Sequence, residues 1–133
     1  MKDHLTQVTN TGISRFSTNR VFMEYAQLFK VILSFHDLGK GSGYFQRYLL
    51  DNAPRTNLTR HSEFSAIWAY YYCLTELKLE GLDCLLVYVC VISHHADMDN
   101  FSELLSPNLS ADELMLISEN TDYEELNAIL SDL

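Results

Sequence analysis

Apolar and polar positions alternate with a helical period along nearly the whole chain. A short helix is expected over residues 3–10, with Gly12 as its stop. A longer one follows from about Arg20 to Leu38, with Thr18 or Asn19 as N-cap. On it Val21, Tyr25, Leu28, Ile32 and Phe35 recur at steps of three and four, which places them on one face. Gly39, Gly41 and Gly43 end that helix, and Ser42 can open a short one through YFQRYLL. Residues 52–59, NAPRTNLT, read as a loop. A helix starting near His61 carries FSAIWAYYYCLTEL and ends before Gly81. Asp83 can cap a buried helix through LLVYVCVISHH. On β-branched content alone that run could be a strand, but no second strand offers it a partner. Ser110-x-x-Glu113 and Thr121-x-x-Glu124 each look like capping boxes opening short helices. The pattern predicts an all-α domain whose core includes Phe29, Ile32, Ile67, Trp68, Leu86, Val89 and Ile92.

Composition narrows the class. With 133 residues, 47% of them apolar, the chain suits one domain with one core. Its longest apolar stretch, Cys84 to Ile92, is far short of the roughly 20 residues that span a bilayer. The N-terminus, MKDHLTQVTN, lacks the apolar core of a signal peptide. A soluble, cytoplasmic protein with no membrane partner is expected. Cys73, Cys84 and Cys90 sit in apolar surroundings without a C-x-x-C, which suits reduced thiols.

The net charge of −9 argues against tight unaided DNA binding, because phosphates call for Lys and Arg. Its distribution softens that conclusion. Residues 97–133 hold ten acids and no Lys or Arg, while residues 1–96 hold eight acids and nine bases. The acidity belongs to a C-terminal segment, 102–133, appended to a core at 1–101. Divalent metals would add positive charge where a phosphate must sit.

The candidate chemistry lies in five histidines, His4, His36, His61, His94 and His95, and one carboxylate. A lone His on a helix is usually a hydrogen-bonded structural residue, and a His-Asp dipeptide by itself carries little weight. Two adjacent imidazoles after an apolar run are harder to bury without partners. On a helix, neighbours point about 100° apart, so His36-Asp37 can offer a nitrogen to one metal and a carboxylate between two. His94-His95 can do the same from another helix. Both pairs fall near predicted helix C-termini, where the backbone charge favours cations. His61 falls near a helix start, so its placement needs another reason. Imidazole and carboxylate together suit transition metals.

HDLGKGSGYFQRYL at 36–49 resembles the HD-x-G-K-x-x-x-x-F-Q-x-x-L stretch of the CRISPR-associated HD nuclease domains of type I interference. RHSEFSAIWA at 60–69, VISHHAD at 91–97 and DHL at 3–5 are similar to that family's other blocks, in the same order and spacing. The resemblance implies an all-α HD-domain helical bundle with two divalent metals, Fe, Mn, Ni or Co, with Mg possible. His4, His36 and Asp37 would hold the first. Asp37 would bridge to a second, held by His61, His94 and His95. Lys40, otherwise an ordinary surface lysine, would lie beside the scissile phosphate. The family also places a further acidic ligand on a later helix. Asp97, Asp99, Asp122 and Glu124 are candidates by position, none of them matched, so the first site is expected to be incomplete. The implied activity is cleavage of single-stranded DNA alongside a helicase and a guide-RNA surveillance complex. No nucleotide-binding motor is encoded, since Gly41 follows Lys40 and the phosphate-loop pattern fails. The helicase is therefore expected as a severed C-terminal domain or as a separate chain. Two other readings share His36-Asp37: an HD phosphohydrolase of a nucleotide or cyclic dinucleotide, and a degenerate metal-binding module that only docks a partner.

Overall fold

A computed structural model of the chain describes residues 2–95 and 101–131, and among them no β-strand occurs. The helices are α1 (Lys2–Phe16), α2 (Arg20–Glu24), α3 (Ala26–Phe35), α4 (Gly43–Leu50), α5 (His61–Thr75), α6 (Gly81–Ile92), α7 (Phe101–Leu104), α8 (Ala111–Glu119) and α9 (Tyr123–Ser131). Short 3-10 turns cover Leu38–Gly41 and Asn57–Thr59. The fold is all-α, as the periodicity predicts. No helix among the described residues is long and apolar enough to cross a membrane.

The core forms where α5 and α6 pair, with α3 laid across both and α1 against α3. LLVYVCVI is helical. Cys84, Val87 and Val91 recur at steps of three and four and are fully buried. Leu82 and Leu86 point away and are exposed, so Leu86 is not a core residue. In a run that is apolar on every side, the neighbours decide which face is covered. Val89 is buried, and Phe29, Ile32, Ile67, Trp68 and Ile92 are half-buried. Burial pushes the Cys73 thiol up to about 12, and Cys84 and Asp83 add to the shift; burial also raises Cys84 and Cys90. All three cysteines are free thiols.

Several helix limits differ from the expected ones. Gly12 does not stop α1 but lies inside it, at the crossing with α3. A Cβ there would meet Leu33 Cδ1 at 2.6 Å, so glycine permits the close approach. The expected helix from Arg20 to Leu38 is broken at Tyr25 and ends at Phe35, and the first half of its stripe, Val21 and Tyr25, is exposed. Helix α6 starts at Gly81, ahead of the expected cap Asp83.

The acidic C-terminal segment is joined to the core at several places. Leu126 belongs to the main apolar cluster, and Leu109 and Ile117 form a second one with Phe64. Gly43 N–H donates to Asn120 O at 2.7 Å. Glu63 on α5, almost fully buried, accepts from Asn108 N–H at 2.6 Å and Leu109 N–H at 2.9 Å. Its carboxylate is a structural staple. Glu63→Ala leaves both donors unpaired, and a loss of about 3 kcal/mol is expected in urea denaturation. A change below about 0.5 kcal/mol would show that the staple contributes nothing.

Candidate metal centre

Helix ends deliver the site. His4 stands in the first turn of α1 and His36 caps the C-terminus of α3. Asp37 opens the 3-10 turn that carries Lys40. His61 is the first residue of α5, and His94 and His95 follow the end of α6. All seven residues named from the sequence therefore converge, although they come from four separate stretches of chain.

Asp37 is the hub, with 3% of its surface exposed. Its two oxygens face different partners. Oδ2 has His4 Nε2 at 3.2 Å, His36 Nε2 at 3.4 Å and Lys40 Nζ at 2.8 Å. Oδ1 has His61 Nε2 and His94 Nε2 at 3.3 Å and His95 Nε2 at 3.9 Å. Two donor groups result, His4–His36–Asp37 and Asp37–His61–His94–His95, each with its ligand atoms within 4.8 Å of one another. Burial alone would raise the Asp37 pKa. His36, His61, His94 and Lys40 outweigh it and hold the carboxyl far below the usual carboxylate range. Desolvation, with His94 and His61 beside it, lowers the His95 pKa and favours the neutral ring.

The second ring nitrogens show how two of the imidazoles are oriented. His36 Nδ1 lies 2.8 Å from Leu33 O, and His94 Nδ1 lies 2.6 Å from Val91 O. A carbonyl oxygen only accepts, so each Nδ1 carries the proton. In the neutral ring Nε2 is then a bare lone pair, aimed at a carboxylate oxygen. Lone pairs facing each other at 3.3–3.4 Å repel unless a cation or proton is shared between them. Fixing the tautomer through Nδ1 is how proteins orient metal-binding imidazoles. Among the described residues His61 Nε2, buried 3.3 Å from Asp37 Oδ1, has no partner with hydrogen-bond geometry, and a metal ion would satisfy it. The donor set fits divalent transition metals.

The F-Q pair of the 36–49 block acts from behind. Phe45 packs edge-on against the His61 ring, with centroids 4.8 Å apart. This contact helps to hold an imidazole at a helix start. Gln46 Nε2 donates to Lys40 O at 2.6 Å and pins the loop. Ser42 caps α4 by accepting from Phe45 N–H.

Beside Oδ2 opens a cleft of 460 Å³ lined by His4, Asp37, Lys40, Gln46 and Glu125, among others. Glu125 was not among the acids singled out from the sequence. The expected box Thr121-x-x-Glu124 is displaced by one residue. Asp122 caps α9 by accepting from Glu125 N–H at 3.0 Å, and Thr121 Oγ1 bonds back to Ile117 O. A shift of one position turns a helical side chain by about 100°. The neighbouring Asp122 was the available signal, since Asp is as good a cap as Thr. Asp97 and Asp99 lie outside the described residues. Comparison with protein-family models, with curated proteins and with solved structures gives no match, so the residues themselves carry the functional assignment.

Proposed function

We propose that this chain is a metal-dependent phosphodiester hydrolase that cuts single-stranded DNA in CRISPR interference, together with a helicase and a guide-RNA surveillance complex. The observation that supports the hydrolase reading best is the division of five imidazoles between the two oxygens of Asp37. The ordered motif blocks at 3–5, 36–49, 60–69 and 91–97 support the narrower substrate and partners. His4, His36 and Asp37 Oδ2 would hold one divalent cation, and His61, His94, His95 and Asp37 Oδ1 the other. Glu125 is the acidic group on the cleft wall for the His4 side.

Cations held there would supply Lewis acidity toward the phosphate and toward water. The protein's own groups do the rest. Asp37 would offer one oxygen to each donor group, and the carbonyls of Leu33 and Val91 hold the His36 and His94 rings aligned, with Nε2 toward the carboxylate. Lys40, ion-paired to Asp37 and exposed to the cleft, is a compact cation on a flexible stem. It can turn to a phosphate oxygen and neutralise charge developing there.

The test is cleavage of a single-stranded oligodeoxynucleotide by protein loaded separately with Mn, Fe, Ni, Co and Mg. Two metals per chain and metal-dependent cutting are expected. Lys40→Ala should slow cutting about 100-fold, as for loss of one oxyanion-stabilising group. Metal content should not fall, because Lys40 holds no metal. Hydrolysis of small nucleotides or cyclic dinucleotides with single-stranded DNA left intact would replace the proposal by a small-molecule phosphohydrolase. A protein that retains no metal and cuts nothing would be a docking module.

A further inference from the structure

His4 has a second neighbourhood. On one side it lines the cleft with Asp37 and Lys40, and on the other it begins a groove of 480 Å³ between α1 and α3. His4, Gln7, Thr11, Arg15 and Phe16 line this groove from α1, at steps that keep them on one face of the helix. From His4 to Arg15 the helix rises about 16 Å. That is about five nucleotides at the 3.4 Å per-strand rise of stacked bases, and fewer if the strand is stretched.

We propose that this face of α1 is a binding tract for single-stranded polynucleotide, leading to the metal centre. The proposal rests on the hydrolase reading above and adds where the polymer lies. Three observations select this occupant. First, the tract is continuous with the site through His4, so a chain bound along it reaches Asp37 without crossing another element. Second, the charge of this stretch of chain suits a polyanion better than that of the remainder. Residues 1–30 hold four basic and two acidic residues, whereas residues 31–133 hold five basic and sixteen acidic. Arg15 is exposed and makes no ion pair among the described residues, which leaves its guanidinium for a phosphate. Third, Phe16 lies beside it, 47% exposed and backed by the near-parallel ring of Phe29 at 6.1 Å. A cation next to an exposed ring on a rigid helix is the pairing that holds an unstacked base and its phosphate. A lone nucleotide at the metal centre would not reach either residue.

The probes are fluorescein-labelled oligo-dT and oligo-U of about ten nucleotides, bound in chelator so that nothing is cut and read by anisotropy across a salt series. Phe16→Ala should weaken binding at least about fivefold, as for loss of one stacking platform. Arg15→Ala should reduce the slope of log Kd against log salt by about 0.7, one phosphate contact on a single strand. Arg15→Lys should restore that slope, which a merely structural role for Arg15 would not do. Circular dichroism and thermal melting establish that each variant is folded. A preference for oligo-dT or for oligo-U supports the tract in either case and names the polymer. Unchanged affinity and salt slope in both folded variants overturn it. Hydrolysis of bis(p-nitrophenyl) phosphate by the manganese-loaded protein separates the two readings. It should be the same in wild type, Arg15→Ala and Phe16→Ala, because that ester reaches only the metal centre. If wild type fails to hydrolyse it, the metal-hydrolase reading falls, and the binding series still decides the tract.

Discussion

Asp37→Ala is expected to empty both metal positions in one step and to reduce cleavage at least about 1000-fold. The size follows from the several kcal/mol of charge stabilisation that metal ions supply, at about 1.4 kcal/mol per factor of ten. No single histidine can have this effect. His4 and His36 lie against Oδ2, and His61, His94 and His95 against Oδ1. His94→Ala should therefore lower the metal content by about one per chain and leave the other position filled. Asp37→Ala also costs stability without metal. A buried anion is removed from a shell of imidazoles and an ammonium, and breaking such a pair costs about 3–5 kcal/mol. The pH dependence has a definite sign. The folded pKa of Asp37 is depressed, so its contribution is fully present above the unfolded value of about 3.9. It persists as pH falls through that value and fades only near the lower folded pKa. Asp37→Asn keeps the shape and tests the charge alone, and it should lose metal while remaining better folded than the alanine variant. Elemental analysis checks both. Two metals retained in Asp37→Ala would show that the carboxylate bridges nothing.

The convergence of the candidate ligands was legible because it needs only sequence order and helix ends. His36-Asp37 and His94-His95 terminate apolar runs whose period is unmistakable, and a helix end can be read from the residues that stop it. The second layer around them was not legible. Phe45 against His61, Gln46 on the Lys40 carbonyl and Ser65 beneath Gly39 depend on how α4 and α5 lie beside the 3-10 turn, which no local pattern encodes. The fold shows the same division. Ser110 and Glu113 form the expected capping box, because a cap is decided within four residues. Gly12 looks like a stop by propensity, yet α1 runs through it, and Leu33 occupies the space a side chain would take. Val21 and Tyr25 fit the stripe of α3 by period but lie on α2 and at the break after it. There the chain packs beside α3 without covering the core, so the stripe ends early. Glu125 was missed for a local reason, two adjacent capping residues. The face of a helix changes with the one that is chosen.

Gly39→Ala should damage the site without touching a ligand. Gly39 has no positive φ, so backbone freedom is not the reason for glycine here. The reason is proximity. A Cβ at this position would lie 2.3 Å from His61 O and 2.9 Å from Ser65 Oγ. Gly39 N–H also donates to Ser65 Oγ at 2.7 Å in a buried bond between the 3-10 turn and the first turns of α5. The turn carries Asp37 and Lys40, and the start of α5 carries His61, so this contact sets the spacing between the Asp37 carboxylate and the His61 imidazole. The clash is with backbone, and no rotamer change relieves it. Overpacking costs about 1–3 kcal/mol, and weakening the buried hydrogen bond adds about 1 kcal/mol or more. Moving α5 away by about 1 Å would pull His61 from Oδ1, and a misplacement of that size costs about 100-fold in rate. Metal loss should be selective, with the His61–His94–His95 position weakened more than the His4–His36 position. Ser65→Ala removes the hydrogen bond without adding bulk and should cost stability with a smaller loss of rate. Gly81→Ala is the control, since nothing lies within 4 Å of its Cβ and it should be neutral or slightly stabilising. Thermal melting, metal titration and cleavage rates on the three variants measure this. A Gly39→Ala protein that melts, binds metal and cuts like wild type would mean that the approach of the turn to α5 does not position His61.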